Sequence, residues 1–157
     1  MRRRITILSI MTLMGIFLSN KSLATHIRAG DLVLERLQTA DPSVRRYKII
    51  VNLYRDTGGI EAQDGLISFG DGTPDVIVSP TSIGTIPGFA TEILRYETEH
   101  VFPSNGVFNV SYFERNRNEG VRNLFASGQT PFYIVSTILI NPFLGFNNSP
   151  TKRGDYN

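Results

Sequence analysis

Apolar residues recur at every second position between Val44 and Asp56. Tyr47, Ile49, Val51 and Leu53 fall on one side of an extended chain, and the residues between them face the other way. This period of two, built from aromatic and branched residues, predicts a β-strand that buries one face.

Similar patterns predict six more strands with turn residues between them. Thr39–Ser43 is a turn that joins the first two strands, and Pro103–Gly106 carries an Asn-Gly pair that supplies the positive φ of a hairpin. The stretch Ser79–Ala90 contains two prolines and two glycines, so it is predicted to be a loop. The six further strands are 27–37, 66–69, 76–78, 92–102, 107–115 and 132–140.

No segment keeps a helical period over three turns. Short strands that recur about every 8–12 residues are typical of a β-sandwich or a barrel. The pattern therefore predicts an all-β fold.

The first 24 residues have the layout of a signal peptide. Arg2–Arg4 form a positive start, Ile5–Leu18 form an apolar stretch, and Ser22–Ala24 is a small-x-small cleavage site, so cleavage is expected between Ala24 and Thr25. The alternative is an uncleaved anchor, but the apolar stretch is shorter than the roughly 20 residues that span a bilayer. We therefore expect an exported protein without a permanent membrane anchor.

Removal of the signal changes the charge. The full chain carries 16 Lys and Arg against 14 Asp and Glu, for a net charge of +2. Four basic residues lie in the signal, so the mature chain would have a net charge of −2. The basic character thus belongs to targeting, and no nucleic-acid partner is expected, because that would need a basic patch on the folded domain. The chain has no cysteine, which excludes thiol catalysis and disulfides.

The most specific motif is the segment Phe69-Gly70-Asp71-Gly72-Thr73. Phe69 is predicted to anchor the end of a strand, and the two glycines permit backbone angles that other residues resist. Asp71 and Thr73 can hydrogen-bond within their own turn. A structural turn is the favoured interpretation, and a ligand-contact site is the alternative.

This motif, followed by His100-Val101-Phe102 and by Gly106-Val107-Phe108-Asn109-Val110, resembles the polycystic kidney disease (PKD) repeat. That family consists of extracellular immunoglobulin-like β-sandwiches, so the resemblance implies an antiparallel sandwich of this kind. Three positions depart from the family pattern. Ile67 replaces a tryptophan, and Phe102 and Phe108 replace tyrosines.

The start of the mature chain is similar to the N-terminal region of large Bacteroidota surface proteins that are associated with gliding motility and type IX secretion. The similarity lies in residues 24–32 and 47–56, and the run 140–150 resembles the family's exit from this domain. The strand residues that carry the two resemblances are His26, Gly30, Asp31, Tyr54, Arg55, Asp56, His100, Phe102, Gly106, Phe108 and Val110.

The chain is therefore divided into a signal peptide at residues 1–24, a PKD-like β-sandwich at 25–141 and a linker-like tail at 142–157. Because the tail is rich in Pro, Gly and Asn, truncation of a larger protein is left open.

Candidate chemistry is weak. His26 and His100 are far apart in sequence, no metal-ligand spacing is present, and no metal site is predicted. The only cofactor left open is a weakly bound calcium ion, for which the candidates are Asp56, Asp64, Asp71 and Asp75.

No catalytic residue is predicted either. Glu97 and Glu99 are two apart on a strand, which is typical of an exposed face, and the basic residues Arg115, Arg117 and Arg122 flank a turn. The serines lie in no nucleophile-elbow motif.

The function expected from these features is that of a non-catalytic, adhesin-like module, secreted or at the cell surface. Its partner would be a protein or a glycan, contacted at residues 71–73 and in the segment 79–90. The alternative is an accessory β-domain of an exported hydrolase whose catalytic domain lies downstream, which the gene sequence beyond Asn157 would reveal. The residues identify neither the ligand nor the oligomeric state.

Overall fold

The computed structural model describes residues 27–59, 61–115, 117, 121, 124–144 and 147–148. The predicted cleavage site at Ala24 and Thr25 lies outside these residues, as does His26. Within the described ranges the chain forms two short 3-10 turns and eight β-strands. The strands are β1 (Ile27–Arg36), β2 (Arg45–Asp56), β3 (Gly65–Ser68), β4 (Val76–Val78), β5 (Thr81–Ile86), β6 (Thr91–Phe102), β7 (Gly106–Glu114) and β8 (Phe132–Ile140).

The strands build two antiparallel sheets of four strands each. One sheet has the order β1-β2-β6-β5 and is called sheet A here; the other has the order β4-β3-β7-β8 and is called sheet B. This is the strand order of immunoglobulin sandwiches, in which strands A, B, E and D form one sheet and C, F and G the other. The all-β, immunoglobulin-like sandwich predicted from the sequence is confirmed.

The core lies between the sheets and follows the predicted alternation. Tyr47, Ile49, Val51 and Leu53 of β2 are at most 1% exposed. They meet Val110 and other apolar residues of β7, which are buried at every second position. Two facing rows of alternating apolar residues thus hold the sandwich together.

The segment Ser79–Ala90 corrects one sequence prediction. It is not a loop, because Thr81–Ile86 form β5, which pairs with β6, and only Pro87–Ala90 form a turn. All of β5 except Ile86 is exposed, so the strand lacks the apolar alternation by which a strand is recognised. Backbone hydrogen bonds to β6 hold it in place, and these leave no mark in the sequence.

The chain that follows β8 returns to the sandwich. Pro142–Leu144 form a 3-10 turn, Asn147 Nδ2 donates to the carbonyl oxygen of Leu139 (2.6 Å), and Asn148 Oδ1 accepts from the Arg36 amide (2.7 Å). The first part of the predicted tail is therefore attached to the domain. The described part of the chain contains no helix long and apolar enough to cross a membrane.

Candidate functional site

The turn that follows β3 is built from the predicted motif. Phe69 points into the core and is 2% exposed, while Gly70 and Gly72 have φ values of 71° and 86°, in the region that favours glycine. The Thr73 amide donates to Asp71 Oδ1 (3.0 Å), and the Thr73 hydroxyl donates to the same atom (2.6 Å). The side chain of Asp71 thus closes its own turn.

His100 of β6 joins this turn to the other sheet. Its Nε2 lies 2.6 Å from Asp71 Oδ2, and its ring stacks on Phe69 with a centroid distance of 3.8 Å and an angle of 6°. The side chain of Asp71 is 0% exposed and that of His100 is 12% exposed. The structure therefore brings together two residues 29 positions apart, each of which the sequence singled out.

The electrostatics of this turn favour an ionised Asp71. Burial alone would raise the pKa of its carboxyl group, but the hydrogen bonds from Thr73 and His100 outweigh burial, so the pKa is lowered from its ordinary value. The side chain of Asp71 is fully covered, so a ligand at this turn would meet the exposed Gly70 and Gly72 and the half-buried Thr73. The geometry favours the structural interpretation of the motif.

An aromatic cluster continues from the turn into the core. Phe102 packs edge-on against His100 (4.8 Å) and against Tyr47 (5.6 Å), and it is tilted against Phe108 (4.8 Å). Val110 lies two residues after Phe108 on β7 and is fully buried. The Tyr47 hydroxyl is buried and has no hydrogen-bond partner. The phenylalanines that replace the family tyrosines bring no such hydroxyl into this cluster.

The resemblance residues of β1 have local structural roles. A side chain at Gly30 would collide with Leu53 and Phe132, so glycine permits close packing there. Asp31 accepts hydrogen bonds from the Asn52 amide group (2.9 Å) and from the Tyr54 hydroxyl (3.4 Å).

The resemblance residues at the end of β2, Arg55 and Asp56, form ion pairs. The Arg55 guanidinium binds Glu92 with its Nε (3.0 Å) and its Nη2 (2.5 Å), and Asp56 pairs with Arg28 (2.5 Å). The hydrogen bonds that Ser82 and Arg55 donate lower the pKa of Glu92. These contacts tie β2 to β1 and β6.

Tyr96 and Tyr112 form a second buried cluster with polar groups, and their ring centroids are 5.1 Å apart. The Tyr96 hydroxyl donates to the Gln63 carbonyl oxygen (3.0 Å), and the Tyr112 hydroxyl donates to Glu114 Oε2 (3.4 Å). Burial raises the pKa of Tyr96 to about 12 and that of Tyr112 still further. Both phenols therefore stay neutral and act as hydrogen-bond donors.

The outer face of sheet A is charged. Lys48 pairs with Glu97 (2.9 Å), and Arg46 lies near Glu99 (3.9 Å). Arg95 bonds Asn52 (3.1 Å) and extends the polar network. Glu97 and Glu99 thus lie on an exposed strand face, as their spacing indicated, and face basic residues of β2.

The outer face of sheet B carries many exposed apolar side chains beside a polar pair, Asn109 and Thr137, and the sequence reasoning missed these apolar residues. Four side chains at matching register positions cross all four strands and are called the apolar row here: Ile77, Leu66, Phe113 and Tyr133. Their exposed fractions are 70, 37, 38 and 56%. Val107, Val135 and Leu139 are exposed on the same face. In the sequence, the apolar residues on both faces of β8 were the signal that could have indicated an exposed apolar face.

The described residues show no ready site for a metal ion. Among them, no group of three or more His, Cys, Asp or Glu lies close enough to hold a metal. Asp71 is occupied by Thr73 and His100, and Asp56 by Arg28. Arg117 lies over the ring of Phe132 (5.2 Å), and Arg122 lies outside the described residues. A groove of about 680 Å³ is lined by residues of the β1–β2 turn and Pro142.

No protein-family model matches the chain, and neither the curated proteins nor the solved structures contain a match. The function is therefore argued from the geometry of the domain.

Proposed function

We propose that the chain is a non-catalytic interaction module that acts outside the cytoplasm and binds a protein partner at the cell surface through the outer face of sheet B. The apolar row carries this proposal. Soluble monomers seldom expose contiguous apolar patches larger than a few hundred Å², and the largest patch of a monomer is often an interaction site. A single such row, set on a rigid sheet, offers a partner a flat apolar platform.

The contrast between the two faces supports the assignment of this surface. The outer face of sheet A carries ion pairs such as Lys48–Glu97, which are stable in water without a partner. The apolar row contains no charge, and the Tyr133 hydroxyl is its only polar side-chain group. Interface centres are likewise depleted of charged residues and enriched in aromatic ones.

A protein fits this surface better than a glycan does. Sugars need several hydrogen-bond donors and acceptors around an aromatic ring, because their hydroxyl groups must stay paired. Three of the four side chains in the row are hydrocarbon only. The PKD-like resemblance and the signal-peptide pattern support an extracellular place of action, where such adhesin-like modules are found.

The test compares two variants of the full chain in cells that export it. Ile77→Glu places a charge in the apolar row at a residue that is 70% exposed, so the fold should tolerate it. We expect the cell-bound fraction, measured by immunodetection on intact cells and in the medium, to fall by about fivefold or more, as for loss of an interface anchor.

Val101→Glu is the matched control. Val101 is an exposed apolar residue (44%) on the outer face of sheet A, so the same charge change there should leave the bound fraction unchanged. Equal binding of both variants would contradict the proposed surface, and retention of the protein in the cytoplasm would contradict its place of action.

A further inference from the structure

The edges of the two sheets differ in how they are protected. Sheet edges expose unpaired backbone groups that can pair with another strand, and proteins block them with charges, bulges, prolines or very short strands. The edge strands here are β1 and β5 in sheet A and β4 and β8 in sheet B.

Three of these edges carry such protection. β1 has a register shift between Ile27 and Ala29 and contains Asp31, and Asn148 binds its Arg36 amide. β5 has a register shift between Ser82 and Gly84, and β4 is only three residues long.

β8 has only one such contact, near its end, where Asn147 Nδ2 donates to the carbonyl oxygen of Leu139 (2.6 Å). It is nine residues long, contains no charge, proline or glycine, and stays in register with β7 over all nine pairs. Among the described residues, β7 is the only strand that pairs with it. Its length, regularity and β-branched composition are those of a strand suited to pairing on its second edge.

We propose that β8 pairs antiparallel with β8 of a second copy of this chain, which joins the two B sheets into one sheet of eight strands. This inference goes beyond the function proposed above, because the second copy binds at the edge of sheet B and leaves the apolar row of each copy free for the partner of that function. The dimer would double the apolar face and place both apolar rows on one continuous surface.

The strand is complementary to itself. A two-fold axis at Ser136, the middle residue of β8, pairs the strand over its whole length and brings no like charges together. The four further pairs are Phe132 with Ile140, Tyr133 with Leu139, Ile134 with Ile138, and Val135 with Thr137. Each of these pairs contains at least one aromatic or β-branched residue, of the kind that stabilises neighbouring strands.

The size of the contact predicts a weak dimer. Pairing of one edge strand buries less surface than the roughly 800 Å² per partner of a stable complex, so a dissociation constant of about 10–100 µM is expected. Sedimentation equilibrium of the mature chain over about 1–500 µM measures it directly. A protein that stays monomeric throughout this range would overturn the inference.

Two substitutions locate the contact. Val135→Lys puts two lysines on the same face on either side of the axis, within the diagonal distance at which like charges repel, and should raise the dissociation constant by about tenfold or more. Ile77→Lys adds the same charge to the same face, but at the far edge, three strand spacings or about 14 Å away. It should leave dimerisation unchanged.

Because both side chains are exposed, each variant should fold, which circular dichroism and the melting temperature check. Equal weakening of the dimer by both variants would indicate face-to-face packing of the apolar rows and would overturn edge pairing.

A single cysteine gives an independent readout, since the chain has none of its own. In Ser136→Cys the two thiols meet at the axis, where paired strands place Cα atoms about 4.5–5.5 Å apart, within disulfide range. Oxidation should produce a covalent dimer. Ser111→Cys on β7 is the matched control and should not crosslink; equal crosslinking of both would contradict the proposed register.

This test is separate from that of the proposed function. If the protein stays monomeric while its Ile77→Glu variant still loses cell binding, the pairing of β8 is overturned and the proposed interaction module stands. A dimer that shows no surface binding in cells would support the pairing of β8 and contradict the proposed interaction module.

Discussion

Tyr47 and Tyr96 show how one hydroxyl group can have opposite effects on stability. Both residues are nearly fully buried, at 1% and 0% exposure. The Tyr96 hydroxyl donates to the Gln63 carbonyl oxygen, whereas the Tyr47 hydroxyl has no partner. A buried polar group that stays unpaired costs free energy, and a paired one does not.

The two tyrosines therefore form a matched experiment. Tyr47→Phe should leave the free energy of unfolding unchanged or raise it by about 1 kcal/mol, because it removes an unpaired group. Tyr96→Phe should lower it by about 1 kcal/mol, because the carbonyl of Gln63 loses its donor. Urea denaturation measures both, and a clear loss of stability in Tyr47→Phe would show that its hydroxyl is paired in solution.

Asp71 is expected to make the domain sensitive to acid. Its pKa is lowered in the folded state, so its contribution to stability is fully present above its ordinary pKa and is lost as the pH falls through the lowered value. The loss should therefore begin below a pH of about 4.

Asp71→Asn removes that charge and should cost about 2 kcal/mol at neutral pH, the typical value of hydrogen bonds to a charged group. Its stability should also vary less with pH than that of the wild type between about pH 4 and pH 2. Thermal unfolding over this range measures both effects. Asp75→Asn, at a nearby exposed position, is the control, and a loss as large as that of Asp71→Asn would contradict the role of the buried pair.

At the scale of elements, the turn after β3 is docked on β7. A Cβ atom at Gly70 would collide with the carbonyl oxygen of Asn109, while a Cβ at Gly72 would meet no atom within 4 Å. Both glycines have positive φ. The two positions therefore separate the effect of conformation from that of packing.

Gly72→Ala should lower the free energy of unfolding by about 1 kcal/mol, the conformational cost of left-handed φ in a residue with a Cβ. Gly70→Ala adds the collision with β7 and should cost at least about 1 kcal/mol more. Urea denaturation of the two variants measures both free energies of unfolding. Equal losses of stability would mean that the turn moves away from β7 without cost.

At the scale of the whole molecule, the precursor and the exported form should differ in charge. The precursor has a net charge of +2, and cleavage after Ala24 would leave −2. We expect the exported form to begin at Thr25 and to focus at a lower pH than the precursor. Intact mass and isoelectric focusing check both points; an exported form that retains Arg2–Arg4 would contradict cleavage.

Local patterns along the chain were sufficient for most of the fold. Alternation identified β2, because a half-buried strand carries a period of two in its sequence. The bounds of β4 and β8 were predicted to the residue from their apolar runs and the turn residues beside them. The turn chemistry of Asp71 and Thr73 was equally readable, since donor and acceptor lie two positions apart. β5 was missed because its exposed residues carry no period and its hydrogen bonds are made by backbone groups that every residue has.

Contacts between distant segments supplied the rest. The Asp71–His100 pair depends on the packing of one sheet on the other, so the motif could be recognised while its burial could not. The apolar row exists only because β4, β3, β7 and β8 lie side by side in register. A strand's period tells that its two faces differ, but which face meets the core and which meets a partner depends on the order of strands in the sheet.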